Sequence, residues 1–111
     1  MPFINTKVNF PLSNDEVITL KTKFGEAISL MSKPESYLML DFEDNRKMFF
    51  GGKDGFRMAI VECKVFGKAN GIDRMTAEIT DILAETLKIE PMHIYVKYEE
   101  CSMWGMGGSN F

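Results

Sequence analysis

Met1-Pro2-Phe3-Ile4-Asn5-Thr6-Lys7-Val8 is the stretch of sequence around which the chain is organised. In an extended conformation, Ile4, Thr6 and Val8 fall on one face, which is typical of a β-strand. A strand anchors the residue at its start, whereas a frayed terminus leaves that residue mobile. The opening stretch therefore predicts a strand that holds Pro2 in a fixed position.

Pro2 is a candidate proton-transfer residue. A proline in second position is small enough that Met1 is normally removed, which would leave the secondary amine of Pro2 at the start of the chain. A chain amine has a pKa of about 8. Apolar surroundings or a nearby cation lower that pKa toward neutrality, where a general base works best. Taken alone, however, a Met-Pro start more often means only that the terminus is protected.

The residues after this strand predict a helix and a second strand. Ser13 and Glu16 match the S-x-x-E capping box that begins a helix. An apolar stripe with steps of three and four follows, and the helix is expected to end before Pro34. Residues 37–42 then alternate as a strand. The stripe consists of Val17, Leu20, Phe24, Ala27, Ile28 and Met31.

The second half of the chain repeats this plan. Residues 56–66 and 93–98 alternate as strands, and between them an apolar stripe from Ile72 to Leu87 predicts a helix. A strand-helix-strand unit needs a right-handed crossover, which places its helix on one face of the sheet. The predicted fold is therefore α/β, a single domain over residues 1–111, with two strand-helix-strand units in one sheet and both helices on one face.

The opposite face of that sheet is predicted to be too apolar for a monomer. A soluble monomer normally exposes less apolar surface than these side chains would present. A second copy of the chain, in closed symmetry, would cover them economically. Trp104 and Phe111 are also expected to pack at a subunit contact. The predicted apolar face consists of Tyr37, Met39, Met58, Ile60, Phe66 and Tyr95.

The composition argues against several kinds of function. The net charge of −3 and the absence of a basic run make nucleic acid and anionic membranes poor partners. The first residues are too polar for a signal peptide, so a cytoplasmic location is expected. Cys63 and Cys101 form no Cys-x-x-Cys pair, and His93 is the only histidine. No metal site, catalytic triad or cofactor is therefore expected.

Several short motifs, taken together, resemble the macrophage migration inhibitory factor family and its tautomerase relatives. They span almost the whole chain in the family's order. The two strand-helix-strand units favour this larger branch over the short tautomerases, which hold one unit. The motifs are Met1-Pro2-Phe3-Ile4, Lys33-Pro34-Glu35-Ser36-Tyr37, Phe50-Gly51-Gly52, Gly67-Lys68, Pro91-Met92-His93-Ile94-Tyr95 and Gly108-Ser109-Asn110-Phe111.

The resemblance implies a homotrimer with sites at the subunit boundaries. It also implies a cofactor-free keto-enol tautomerase that acts on phenylpyruvate-like or dopachrome-like 2-oxo acids. In such a site Pro2 would be the base and then the acid, and Lys33 would bind the substrate carboxylate or carbonyl. The backbone at Phe66 would line the same subunit's pocket, while Tyr95 and Lys97 would come from the neighbouring subunit. These roles fit a weak carbon acid, which needs a base on the proton and positive charge at the oxygen.

Two positions depart from the family's pattern. Lys97 stands where asparagine is usual, and it would either lower the pKa of Pro2 further or strengthen the binding of an acidic substrate. Ser32 stands where glycine is usual, so a slightly different loop is expected before Lys33. The Cys-x-x-Cys of some relatives is missing, which argues against thiol-disulfide activity.

Plainer interpretations stay open for the same residues. Lys33 alone would be a solvated residue that complements a helix dipole, and Tyr95 and Lys97 alone would be strand residues without a chemical task. Two alternatives to the enzyme also remain. One is a cytokine-like binding protein that is secreted without a leader and acts on a cell-surface receptor. The other is a trimer without activity.

Overall fold

The computed structural model describes residues 1–111 and contains the two predicted strand-helix-strand units. The first unit is β1 (Pro2–Val8), α1 (Asn14–Ala27) and β2 (Met39–Glu43). The second unit is β3 (Ala59–Phe66), α2 (Ile72–Leu87) and β4 (Ile94–Cys101). The chain ends in a small hairpin, β5 (Gly105–Met106) and β6 (Ser109–Asn110), which the sequence did not predict.

The four long strands form one mixed sheet in the order β2-β1-β3-β4. The strands of each unit are parallel, as a crossover helix requires. The two units are joined in the middle of the sheet, where β1 and β3 run antiparallel and Pro2 lies opposite Val65. The start of β1 therefore lies beside the end of β3.

Both helices pack on one face of the sheet and form the core with it. The inward residues of β3 are buried as predicted, and Leu20 and Phe24 of α1 are completely enclosed. Full burial of such a side chain stabilises the fold by about 1.5–3 kcal/mol. Neither helix is both long and apolar enough to cross a membrane.

Three strands begin later than the sequence predicted. β2 begins at Met39 because a 3-10 turn at Glu35–Tyr37 follows Pro34, and β4 begins at Ile94 after a similar turn at Pro91–His93. β3 begins at Ala59 and not at residue 56. The reason is the side chain of Asn9, which donates to the Phe56 carbonyl at 2.8 Å and accepts from the Met58 amide at 2.9 Å.

The first helix starts as predicted and ends earlier. Ser13 and Glu16 form both hydrogen bonds of the capping box. α1 ends at Ala27 and continues as a 3-10 helix over Ile28–Met31. Ser32 then turns the chain with φ 58° and ψ 35°, in the left-handed region that favours glycine. Ser32 therefore keeps the backbone conformation suited to the glycine that is usual at this position in the family that the chain resembles.

The face of the sheet opposite the helices, which we call the outer face, carries apolar side chains as predicted and also ion-paired charged side chains. Tyr37, Met39 and Tyr95 are 53%, 66% and 58% exposed, and Ile60 and Phe66 are half-buried. The prediction was wrong for Met58, which is buried. Met58 precedes β3, so the alternation of that strand does not extend to it.

Candidate active site

An open cleft of about 380 Å³ lies where the outer face meets the start of β1. We call it the N-terminal cleft. Residues from β1, β2 and β3 and from the C-terminal hairpin contribute to it, so both ends of the sequence meet there. It is lined by Met1, Pro2, Phe3, Tyr37, Met39, Lys64, Trp104, Gly105 and Met106.

Pro2 is held firmly at this cleft. It is buried and lies opposite Val65 in the antiparallel pairing of β1 and β3. The carbonyl oxygen of Met1 accepts a hydrogen bond of 3.1 Å from the amide of Phe66. The prediction that a strand fixes the position of Pro2 is therefore confirmed.

Lys33 lies at the same end of the sheet. Its Nζ donates to the carbonyl oxygen of Phe66 at 3.2 Å. The amide of Phe66 thus binds Met1, and its carbonyl binds Lys33. The structure brings Pro2, Lys33 and Phe66 together, as the sequence analysis expected.

The chain amine at this cleft is easier to deprotonate than an ordinary one. Burial lowers the pKa of the Met1 amine below 8.0, and the positive charge of Lys33 lowers it further. Both causes disfavour the protonated form. While Met1 is attached, the Pro2 nitrogen is an amide nitrogen whose lone pair is delocalised into the carbonyl, so it has no useful basicity.

Tyr95 and Lys97 lie away from the N-terminal cleft of their own chain. The Tyr95 ring packs edge-on against Phe50, with centroids 5.5 Å apart. Lys97 Nζ lies 3.2 Å from Glu99 and 3.6 Å from Glu62, and the Glu99 contact is the main reason that its pKa is raised. That these residues reach the site of a neighbouring subunit stays a prediction.

The sequence analysis missed several residues of the cleft. Lys64 lies on the outer face of β3, where strand alternation could have placed it. Trp104 and Met106 belong to a segment without a periodic pattern. The Phe111 ring contacts the Phe66 ring of the same chain, with centroids 6.0 Å apart.

Cys63 and His93 lie outside the lining of the N-terminal cleft. Cys63 is buried, which raises its pKa to about 12, so it stays a protonated thiol at neutral pH. The His93 ring stacks on Phe56 with centroids 4.1 Å apart. No group of three or more His, Cys, Asp and Glu side chains is arranged to hold a metal ion.

Several solved structures are similar to this chain over nearly its full length. Leishmania major MIF2 is 27% identical with a TM-score of 0.93, covering 100% of this chain and 97% of its own. A macrophage migration inhibitory factor homologue from Prochlorococcus marinus is 25% identical with a TM-score of 0.86, and 98% of each chain is covered. Pt0534, whose crystal structure shows it inactivated by 2-oxo-3-pentynoate, is 11% identical with a TM-score of 0.85, covering 96% of this chain and 93% of its own. That last similarity shows the fold alone.

The sequence itself identifies the family. No curated protein sequence matches the chain. The family model for macrophage migration inhibitory factor, however, matches residues 1–111. With the paired strand-helix-strand units and the buried N-terminal proline, this match establishes that the chain belongs to the macrophage migration inhibitory factor family.

Proposed function

We propose that this protein is a cofactor-free keto-enol tautomerase in which the Pro2 nitrogen transfers the proton. One observation carries the proposal: the start of the chain is anchored in a cleft where burial and Lys33 lower the pKa of the chain amine. Family membership and the tautomerase fold support the reaction type. The proposed substrates are phenylpyruvate-like or dopachrome-like 2-oxo acids.

The reaction begins once Met1 has been removed. The secondary amine of Pro2 then becomes the chain amine, and burial and the positive charge of Lys33 would lower its pKa as they lower that of Met1. It takes a proton from the carbon next to the substrate carbonyl, while the Lys33 ammonium stabilises the charge that forms on oxygen. The protonated Pro2 then returns the proton to the other end of the enolate. No cofactor is needed for this exchange.

In the proposed homotrimer, the site also includes residues of a neighbouring subunit. Tyr95 and Lys97 would line the N-terminal cleft of the next chain, and the backbone of that chain's own Phe66 would line it as well. The positive charge of Lys97 would be partly neutralised at that site, because Glu62 and Glu99 contact its ammonium group. Its effect on the pKa of Pro2 and its attraction for an acidic substrate would therefore both be weakened.

Interconversion of phenylpyruvate tautomers, followed by ultraviolet absorbance, tests this proposal. The native chain is compared with Pro2→Gly and with a chain that keeps one extra residue before Pro2. Loss of a positioned general base costs about 100-fold or more in rate, so both altered proteins should be slower by at least that factor. Mass spectrometry first verifies that Met1 is absent from the native preparation. Equal rates for all three proteins would refute the proposal.

Covalent labelling provides a check that does not depend on turnover. In 2-oxo-3-pentynoate the alkyne is conjugated with the ketone, so a neutral amine adds to the distal alkyne carbon. The nitrogen forms a bond to that carbon, and the amine proton passes to the carbon next to the ketone. Peptide mapping should find one adduct, at Pro2, in the native protein and none at Pro2 in the extended chain, where that nitrogen is an amide. Labelling elsewhere would count against a reactive Pro2 amine.

A further inference from the structure

Lys64 is the one charged side chain that lines the N-terminal cleft. The other lining residues are apolar, aromatic or glycine. Lys64 is half-buried and lies opposite Phe3, one register position from the pair formed by Pro2 and Val65. A cation is thus placed beside the proposed base, in surroundings that otherwise contribute no charged side chain.

No carboxylate is in ion-pair contact with Lys64. The nearest acid on its own strand is Glu62, which binds Lys7 at 2.9 Å. The register partner of Lys64 on β4 is Glu99, which pairs with Lys97 at 3.2 Å. Lys64 itself makes no ion pair and no side-chain hydrogen bond, although its charge contributes, after those of Lys7 and Lys97, to the lowered pKa of Glu62.

Lys64 is separate from Lys33. Lys33 is bound to the carbonyl oxygen of Phe66, two residues further along β3 than Lys64. Two residues of a strand span about 6.6 Å, so the two lysines approach the site from different points. A single carboxylate held by Lys33 would leave Lys64 desolvated and without a partner, and an unpaired charge in an apolar cleft is costly.

We propose that Lys64 is a specificity-determining residue that binds a second anionic group of the substrate. The preferred substrate is then a 2-oxo acid with a further carboxylate, one anionic group near Lys33 and the other near Lys64. This inference rests on the proposed tautomerase function for the reaction, although anion selection by the cleft can be measured without turnover.

A matched pair of substrates tests the preference. Phenylpyruvate and 4-carboxyphenylpyruvate differ by one carboxylate on the ring. For each protein the readout is the ratio of kcat/KM for the diacid to kcat/KM for the monoacid. A hydrogen bond to a charged group is worth about tenfold or more, so Lys64→Met should lower the ratio about tenfold, chiefly through KM for the diacid. Lys64→Arg, which keeps the charge, should retain most of the preference.

Lys68→Met is the control for long-range charge. Lys68 is exposed in the turn after β3 and does not line the N-terminal cleft. Replacing Lys68 removes one positive charge, as replacing Lys64 does, but from outside the cleft. The ratio of kcat/KM for the diacid to that for the monoacid should therefore stay unchanged. The inference is overturned if Lys64→Met leaves the ratio unchanged, or if Lys68→Met lowers it equally.

Equilibrium binding separates this inference from the proposed function. Calorimetry compares benzoate with benzene-1,4-dicarboxylate, neither of which can tautomerise. The dicarboxylate should bind about tenfold more tightly to the native protein, and Lys64→Met should abolish that difference. A protein that is inactive on both oxo acids but keeps this Lys64-dependent difference would refute the tautomerase and support anion selection. Equal affinities for the two ligands would overturn the role of Lys64.

Discussion

The peptide groups of Phe66 bind Met1, next to the proposed base Pro2, and Lys33, the proposed substrate-binding residue. Its amide binds the Met1 carbonyl at 3.1 Å, and its carbonyl binds Lys33 Nζ at 3.2 Å. Both contacts use the backbone, so they do not depend on the identity of the side chain at position 66. They place a fixed positive charge next to the chain amine, and that charge contributes to its lowered pKa.

Lys33→Met should change the pH dependence of catalysis in a defined direction. Lys33 lowers the pKa of the amine, so its removal should raise that pKa toward the ordinary value. The acidic limb of the kcat/KM profile should move to higher pH, and activity at neutral pH should fall beyond the loss from weaker substrate binding. A nitrogen-15 titration of Pro2 should show the same shift. Lys23→Met, on the exposed side of α1, is the matched control. Superimposable acidic limbs would contradict the role of Lys33.

Individual site residues were predicted unequally well. Pro2, Lys33 and Phe66 were found from short motifs, and the fold brings them together. Lys64 was missed because strand alternation indicates a face of the sheet but does not show where a cleft lies on it. Ser32 was expected to alter the loop. It adopts the left-handed conformation that the usual glycine would favour.

The start of α2 supports the segment that carries Lys33. Gly71 precedes α2 with φ 63°, and its carbonyl accepts the first helical hydrogen bond, from the Met75 amide at 2.9 Å. The space that a Cβ would take at this position is filled by the Leu30 carbonyl oxygen. Leu30 belongs to the 3-10 helix that leads to Ser32 and Lys33. The close approach at Gly71 therefore joins the two units next to the site.

Gly71→Ala should be more destabilising than an alanine at an open glycine. A left-handed alanine costs about 1–2 kcal/mol, and overpacking against a carbonyl adds about 1–3 kcal/mol. Gly52 has φ 78° with nothing within 4 Å of its Cβ position, so Gly52→Ala measures the conformational cost alone. Urea denaturation should give a larger loss in the free energy of unfolding for Gly71→Ala. Equal losses would mean that the contact with Leu30 relaxes freely.

The periodicity of the sequence predicted the number, type and order of the long elements, but it placed some of their ends wrongly. Before Ala59, the side chain of Asn9 forms hydrogen bonds to the backbone that a neighbouring strand would otherwise form. The spacing of apolar residues cannot predict such bonds. The hairpin of β5 and β6 has two residues in each strand, too few to show any period.

In the single chain, neither the outer face of the sheet nor its two edge strands are covered. β2 and β4 each pair on one side only. Exposed edges and exposed apolar side chains both favour contact with another chain. In the proposed homotrimer a further copy would cover this surface and complete the site with Tyr95 and Lys97.

A charge on the outer face should disrupt this assembly. Met39 is 66% exposed on β2, and Ile18 is 58% exposed on α1, away from the sheet. Sedimentation of the native protein should give a multiple of 12.7 kDa. Met39→Glu should move the distribution toward the single chain, because a buried unpaired carboxylate is costly, while Ile18→Glu should not. A native protein that sediments as one chain would contradict the proposal.

The arrangement of the two units was the least predictable feature of the fold. The apolar pattern of each strand-helix-strand unit predicts that its two strands are parallel and which face of them is buried. The antiparallel joining of β1 to β3 depends on contacts between residues as distant in sequence as Pro2 and Val65, and nothing in the local periodicity distinguishes it from other orders.

The convergence of both chain ends on Phe66 restricts how the protein can be labelled. Met1 bonds to its backbone and Phe111 contacts its ring, so an affinity tag at either terminus would lie next to the N-terminal cleft. The exposed turn around Gly51 and Gly52 does not line the cleft of its own chain, so it is a better attachment point for a dye or surface tether than either terminus.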